Sequence, residues 1–318
     1  MSTVTAAPAG KRKTSSASWR LTDRLGLGLA WLLGLLFCAI AAAIVIYFLV
    51  EGIRYLSPSL LVTNPAPGVS ESQTGGFLDP LLGTVIIGFL AMAIATPVGV
   101  GIAVWLSEFG RPTGLARVAE SSVEMLAGEP SVVLALFGTI LFTVRQLGFL
   151  SQTSHGIVLG QSFFAAAALL SLVGLPMVVA STREGLQAIP SHVREASYAV
   201  GKTKIATTRR VLLPAARPSM ITGTMLGLGR VIGDTAIVLL LLGGTLTFQP
   251  ANSIPVLGLL RGTGDTLTGY IYYNAPTGDG NQPSKAYAAA FVLMLMVLAL
   301  NLGVDFVLRR SQRAVRWS

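Results

Sequence analysis

Val85-Ile86-Ile87-Gly88-Phe89-Leu90-Ala91-Met92-Ala93-Ile94 is apolar at every position. A membrane β-strand alternates lipid-facing apolar and lumen-facing polar residues, and this stretch does not alternate. It belongs to a longer apolar run, 80–106. About 20 mostly apolar residues in a helix cross the hydrocarbon core of a bilayer. Backbone groups in lipid must also bond within their own segment. The run therefore predicts a membrane-spanning helix.

Five more runs of membrane length follow the same pattern, near 26–50, 125–147, 157–182, 219–243 and 286–308. The expected fold is an all-α integral membrane protein with six transmembrane helices. Of the 318 residues, 52% are hydrophobic and 12% charged, against roughly 25% charged in a soluble domain.

The net charge of +9 invites a nucleic-acid reading, which the distribution of charge excludes. Five Lys and Arg precede residue 25, seven lie in the 183–217 loop and four follow residue 308. Positive charge collects on the cytoplasmic side of membrane proteins. Both termini and the 183–217 loop are thus expected in the cytoplasm, and six crossings agree with that. The single cysteine, Cys38, lies in the first run and allows no intrachain disulfide. That run is too long for a signal-peptide core and ends in no small-residue cleavage site, so it reads as a retained helix.

Residues 1–25 form a mobile basic tail suited to anionic lipid headgroups. Residues 26–75 hold the first helix and an outer loop broken by Pro58, Pro65, Pro67 and Gly75-Gly76. A five-helix core covers 76–310, and 311–318 is a cytoplasmic tail. Pro97 predicts a kink in the second crossing. The third crossing opens at Gly128-Glu129-Pro130-Ser131, and the fourth ends near Pro176. Gly223, Gly227, Gly229 and Gly233 predict a small-residue packing face on the fifth.

The 183–217 loop has helix-forming residues on both sides of one glycine, Gly201. Ser191 is placed to cap a helix starting at His192, and Glu195 suits the positive helix N-terminus. Ala196 and Ala199 let another protein approach closely. Gly201 can take the left-handed conformation that ends a helix. A second amphipathic helix through Lys204, Thr207, Arg209 and Arg210 is expected to end at Pro214. Such a shape suits docking to another protein, and the other reading is a basic helix lying on the membrane. Gly201-Lys202-Thr203 imitates a phosphate loop, but the first glycine of that motif would fall at Ala196. The chain is therefore expected to hold no ATP and no other cofactor.

Arg230 and Asp234 lie inside the fifth run. Ionisable groups at membrane depth cost at least ~2.5 kcal/mol each and usually face an interior or a water-filled path. At a spacing of four they share a helix face, where they either line a path or fix helix packing. A guanidinium matches phosphate-type oxyanions with planar, paired donors. Glu129 either pairs with Arg183 or Arg230 or marks the membrane interface. Arg183-Glu184, at the end of the fourth crossing, fits snorkelling to the headgroups equally well.

The order Glu195-Ala196, Gly201, Leu213-Pro214 resembles the coupling loop of ABC importer permeases. Ala95-Thr96-Pro97-Val98-Gly99-Val100-Gly101 with Leu106-Ser107-Glu108-Phe109 is similar to the second crossing of phosphate importer permeases. Leu126-Ala127-Gly128-Glu129-Pro130-Ser131 and Gly229-Arg230-Val231-Ile232-Gly233-Asp234-Thr235-Ala236 continue the likeness, which covers roughly 75–308 and is closest to the PstA-type subunit. The family usually has Glu where Asp234 stands and an apolar residue where Glu129 stands. It also has Arg and Glu where Ala180 and Arg183 stand.

The resemblance implies the type I ABC importer architecture in a bacterial plasma (inner) membrane, multi-pass. It implies a second, PstC-type permease, an ATPase dimer that holds the ATP-Mg, and an extracytoplasmic phosphate-binding protein. Arg230, which the family pattern keeps, and Asp234, Glu129 and Arg183, which depart from it, are the candidate path residues. Glu195, Ala196, Gly201, Lys202, Leu213 and Pro214 are the candidate ATPase-coupling residues. Another oxyanion or small solute, or an ion-coupled secondary transporter with Asp234 relaying protons, is the alternative. No hydrolase or zinc-protease motif supports an intramembrane enzyme.

Overall fold

The computed structural model describes residues 21–66, 75–110, 113–150, 153–154, 157–245, 247–250, 255–278, 280 and 282–314. Most of the N-terminal tail reading and residues 315–318 lie outside them. Two units are present, Met1–Val50 and Glu51–Ser318. The first contains most of α1 (Leu21–Tyr55), whose helix begins four residues before the expected end of the tail.

The second unit holds everything else. After α2 (Pro58–Val62) comes α3 (Leu78–Val104), which closes in a π-turn, Trp105–Phe109. Then follow α4 (Gly114–Gly128), α5 (Ser131–Thr143) and a 3-10 turn (Arg145–Leu150). A two-residue ladder, β1 (Thr153–Ser154) with β2 (Ile157–Val158), leads to α6 (Phe163–Gln187). Beyond it lie α7 (Ser191–Ala199), α8 (Lys204–Thr207), a second π-turn (Thr208–Leu212), α9 (Leu213–Ile232) and α10 (Ala236–Leu241). The chain ends with α11 (Pro255–Arg261), α12 (Leu267–Asn274) and α13 (Pro283–Ala314).

Among the described residues, four helical segments are long and apolar enough to cross a membrane: Asp23–Tyr55, Leu78–Phe109, Phe163–Gln187 and Pro283–Gly303. The other two expected crossings are broken. The 125–147 run is cut between α4 and α5, which meet at 105°. Pro130 forces this corner, because the residue before a proline is pushed out of the helical region. Glu129 accordingly sits at ψ 130. The 219–243 run is cut at Gly233-Asp234-Thr235, between α9 and α10. The fourth crossing does not end near Pro176. That proline is buried inside α6, which runs eleven residues further.

α6 is the central helix, with 72% of its most apolar window buried, and it packs on both α3 and α9. The core joins Ile87, Ala91 and Ala95 of α3 to Leu170 and Val178 of α6, Val231 of α9 and Ile237 of α10. Lipid tails are as apolar as leucine, so close contact and interhelical hydrogen bonds hold such helices together. At Gly223 an added Cβ would lie 2.9 Å from Ser181 Cβ, and at Gly227 3.0 Å from Gly174 O. Ser181 Oγ donates to Ser219 O at 2.7 Å along the same seam. The expected glycine face is therefore only half used: Gly229 has open space around it.

Phe77, Leu267, Tyr270, Ala288 and Ala289 form a second cluster where the start of α3 meets α12 and α13. This α12 end lies opposite the α7 end, where the last turns of α3 and α6 meet the start of α9.

Candidate functional site

Two places hold the residues singled out by the sequence. The first is the segment from α7 to α8 at the α7 end. Pro190, not Ser191, occupies the N-cap of α7, and no side chain caps the helix. Ser191 is its first residue, because Pro190 is already extended (ψ 148) and the helix starts directly after it.

The other end of α7 is closed by backbone. Gly201 N donates to Tyr198 O at 2.9 Å and Lys202 N to Ser197 O at 3.2 Å, the pair of bonds of a Schellman motif. Gly201 has φ +79 and nothing within 4 Å of an added Cβ, so backbone conformation alone demands glycine there. Thr203 Oγ1 then accepts from Ala206 N and caps α8. Ser197 Oγ and Thr207 Oγ1, both buried, meet at 2.9 Å and tie the two short helices together.

The face left outside is mixed. Glu195, Ala196, Gly201 and Lys202 are exposed. With them stand Tyr198, Val200 and Ile205, which are 41%, 74% and 69% exposed. This is a closed, rigid knuckle with apolar side chains on its outer surface.

Pro214 does not end the second helix. The chain passes from α8 through the π-turn into α9 without a break, and Pro214 sits in the first turn of α9. Proline lacks an N–H and its ring clashes with the carbonyl four residues back. The wider π-turn just before it accommodates this, with Leu213 N bonded to Thr208 O. Leu213 and Pro214 are half-buried. The fully buried anchor is Leu212, packed with Leu186 and Ala216.

The residue that fastens the knuckle is Arg194, which no local sequence pattern singles out. Arg194 Nη2 and Nε donate to Glu108 Oε1 at 3.0 and 3.3 Å. Its guanidinium also donates to Ile189 O at 2.6 Å and Leu186 O at 2.7 Å. The sequence offers only an acid, Glu108, at the end of an apolar run and a basic 183–217 loop far along the chain, with nothing local that pairs them.

The second place is the end of α9. Arg230 is exposed, two residues before the helix stops. Asp234 is buried, and its Oδ1 accepts from Ile237 N at 3.0 Å at the start of α10. The expected shared helix face does not form, because Gly233 ends α9 between them. Among the described residues Arg230 makes no ion pair.

The two remaining candidates lie elsewhere. Arg183 Nη1 pairs with Glu120 Oε1 of α4 at 2.5 Å, not with Glu129, which stays half-buried at the α4–α5 corner. Gly185 of α6 lies level with Ser219 of α9, and Ser181 with Gly223, so Arg183 lies between those levels. Arg230 is about nine residues further along α9, about 13 Å at 1.5 Å per residue. The structure thus separates Arg183 from Arg230.

A cavity of about 690 Å³ opens between α3, α9 and α13, lined by Phe89, Met92, Leu228 and Met296 among others. Thr96 and Thr224 supply its polar side chains, with their Oγ1 atoms 3.4 Å apart. It offers no charged donor to an oxyanion. At 100° per residue, Arg230 projects about 160° away from Leu228 and Ile232, which line it.

The pattern of binding-protein-dependent transport system inner membrane components matches residues 95–317. The probable ABC transporter permease protein YqgI of Bacillus subtilis (strain 168) is 30% identical over 296 residues, covering 91% of this chain and 95% of that protein. The phosphate transport system permease protein PstA 1 of Mycobacterium tuberculosis (strain H37Rv) is 35% identical over 256 residues, covering 79% and 77%. A chain of the solved bacterial alginate ABC transporter, in complex with its alginate pentasaccharide-bound periplasmic protein, superposes with a TM-score of 0.62. That likeness covers 91% of this chain and 95% of the other at 15% identity, and it speaks to fold alone. The match over most of the length, on a helical scaffold shared with a solved ABC transporter, means that this chain belongs to the binding-protein-dependent transport system inner membrane components, the permeases of ABC importers.

Proposed function

We propose that this permease carries inorganic phosphate, and that the knuckle from α7 to α8 is where its ATPase docks. The observation that carries the docking reading is the combination of a closed backbone with Tyr198, Val200 and Ile205 held exposed on it. Glu195, Ala196, Gly201 and Lys202 share that surface, while Leu213 and Pro214 support it from behind. The phosphate reading is supported by the 35% identity to a protein named as a phosphate transport permease.

The chain makes and breaks no covalent bond and needs no cofactor of its own. ATP-Mg is held by a separate ATPase dimer. A second, homologous permease completes the path, and an external binding protein delivers the anion. The chain sits in the bacterial inner membrane among its lipids with both termini in the cytoplasm, and it binds no nucleic acid. Closure of the ATPase dimer moves the knuckle, and rigid-body rocking exposes the path to alternate sides.

Arg230 is the transient anion contact. It stands exposed beside the open Gly229, on the side of α9 away from the apolar cavity. Asp234 sets the start of α10 and so the position of the break beside Arg230. Glu129 and Arg183 act on the path indirectly, Glu129 at the α4–α5 corner and Arg183 by holding α4 to α6.

The test is co-purification of the chain with its partner subunits, reconstitution in vesicles, and measurement of ATP hydrolysis across a panel of oxyanions. Stimulation by phosphate with its binding protein is expected. Stimulation by sulfate or molybdate alone would replace phosphate. Uptake by the isolated chain without any nucleotide hydrolase would remove the docking reading as well.

A further inference from the structure

The knuckle is joined to its surroundings through the chain and through side chains. The chain enters α7 from α6 through Ala188-Ile189-Pro190, and α8 continues through the π-turn into α9. Two of the side-chain contacts end on consecutive residues of the π-turn that closes α3. Arg194 of α7 reaches Glu108. Lys204 of α8 places Nζ 5.1 Å from the centroid of the Phe109 ring. Each half of the knuckle is thus joined once to the end of α3.

We propose that Glu108 is a positioning residue for energy coupling, the joint through which displacement of the knuckle is delivered to α3. This rests on the docking role proposed above.

The chemistry of the pair favours a joint over a mere staple. The Glu108 side chain is only 6% exposed and that of Arg194 22%. Withdrawing both charges from water is costly, and an apolar contact of similar size often stabilises a fold as well or better. What the ion pair adds is direction. The planar guanidinium bonds one carboxylate oxygen and two carbonyls, Leu186 O and Ile189 O, around the end of α6. The ends of α3, α6 and α7 are therefore fixed to one rigid group with defined geometry.

α3 has two weak points between that group and the cavity. Pro97, seven residues before its end, leaves one hydrogen bond out of its ladder, and the π-turn 105–109 widens the turn that follows. Phe89, Met92 and Thr96 lie beyond Pro97 and line the cavity between α3, α9 and α13. The same π-turn leads through Gly110 to Thr113 and the start of α4. A shift of α7 thereby reaches both α3 and α4. Without Glu108 the knuckle would reach the end of α3 only through the weaker Lys204–Phe109 contact.

The experiment uses the full assembly, reconstituted in vesicles, with Glu108→Gln, Glu108→Ala and Arg194→Lys. Phosphate uptake and ATP hydrolysis are measured together. Glu108→Ala is expected to lower uptake per ATP hydrolysed roughly tenfold, a size usual for coupling between distant sites. Glu108→Gln keeps an acceptor oxygen and should lie between Ala and wild type. Co-purification with the ATPase and unstimulated hydrolysis should stay unchanged. Hydrogen exchange at Trp105–Phe109 gives the second reading: its change on adding nucleotide should be present in wild type and absent in Glu108→Ala.

An unchanged ratio of uptake to hydrolysis in Glu108→Ala would overturn the proposal. So would failure of the variants to assemble, since the pair would then hold the fold and not carry motion. A wild-type chain that binds no ATPase overturns the docking role itself, which is a separate result.

Discussion

Ser197 Oγ and Thr207 Oγ1 lie 2.9 Å apart, ten residues distant in sequence and sealed from solvent between α7 and α8. One hydroxyl must donate to the other, so each satisfies its partner. Removing one leaves a buried polar atom unpaired, at a cost of about 1–3 kcal/mol, whereas removing both with shape retained is nearly neutral. Thr207→Val should therefore loosen the knuckle, and Ser197→Ala with Thr207→Val should recover much of the loss. Hydrogen exchange across 191–207 in the assembled transporter reads this directly. Equal exchange in the single and double variants would mean that the pair contributes nothing.

Gly201 offers a sharper separation of causes. Its φ of +79 with empty space around the Cβ position means that a side chain is opposed by backbone conformation alone. Gly201→Ala should cost about 1–2 kcal/mol, the usual left-handed penalty, and Gly201→Asn less. Gly201→Pro fixes φ near −65° and also deletes the N–H bonded to Tyr198 O. Transport should fall in the order Gly, Asn, Ala, Pro, while insertion into the membrane persists. Wild-type uptake by the proline variant would count against a coupling role for this turn.

Much of this was legible in the chain, because length and apolarity fix helices in lipid. The runs containing Ile87, Leu170 and Phe291 all became long helices. What misled was proline. Pro176 and Pro214 read as stops, yet both lie within continuous helix, one packed at the centre of α6 and one after a widened turn. Pro130 was the true breaker: Glu129, the residue before it, leaves the helical region at ψ 130.

The Gly233 break is easy to overlook because apolar residues stand on both sides of the short Gly233-Asp234-Thr235 interruption. Arg194 escaped notice for another reason. Its partner is 86 residues away, and no local pattern records that distance. Charge at membrane depth marks Arg230 and Asp234, and position at the ends of apolar runs marks Glu129 and Arg183; neither signal records the α4–α5 corner or the Arg183–Glu120 pair.

Arg230 and Asp234 should part company under mutation. Arg230 is exposed and makes no ion pair among the described residues, so Arg230→Gln should leave folding and ATPase binding intact while abolishing most anion uptake. Arg230→Lys, a point charge without the paired donors, should be intermediate. Asp234→Asn keeps an oxygen able to accept from Ile237 N and should be mild. Asp234→Ala removes that bond, a loss of about 1 kcal/mol for a helix-start acceptor. Uptake assays alongside thermal melting distinguish the two residues. Collapse of the assembly in Arg230→Gln would return Arg230 to a packing role.

A pH dependence should arise at the α12 end. Asp265, in the segment joining α11 to α12, has its pKa raised from 3.8 to about 7 by burial, against a lowering contribution from the Thr266 N–H. A carboxyl whose folded pKa exceeds its unfolded one binds more protons when folded. Stability linked to it is therefore complete below about pH 4 and declines as pH rises through 7, by up to roughly 4 kcal/mol at 1.36 kcal/mol per unit. The α12 end should loosen between pH 5 and pH 8. Asp265→Asn, which cannot ionise, should flatten that dependence. Hydrogen exchange of the α12 amides at the two pH values, wild type against Asp265→Asn, measures it. Exchange that is equally pH-dependent in both, after correction for the intrinsic rate, would show that Asp265 is not the group that titrates.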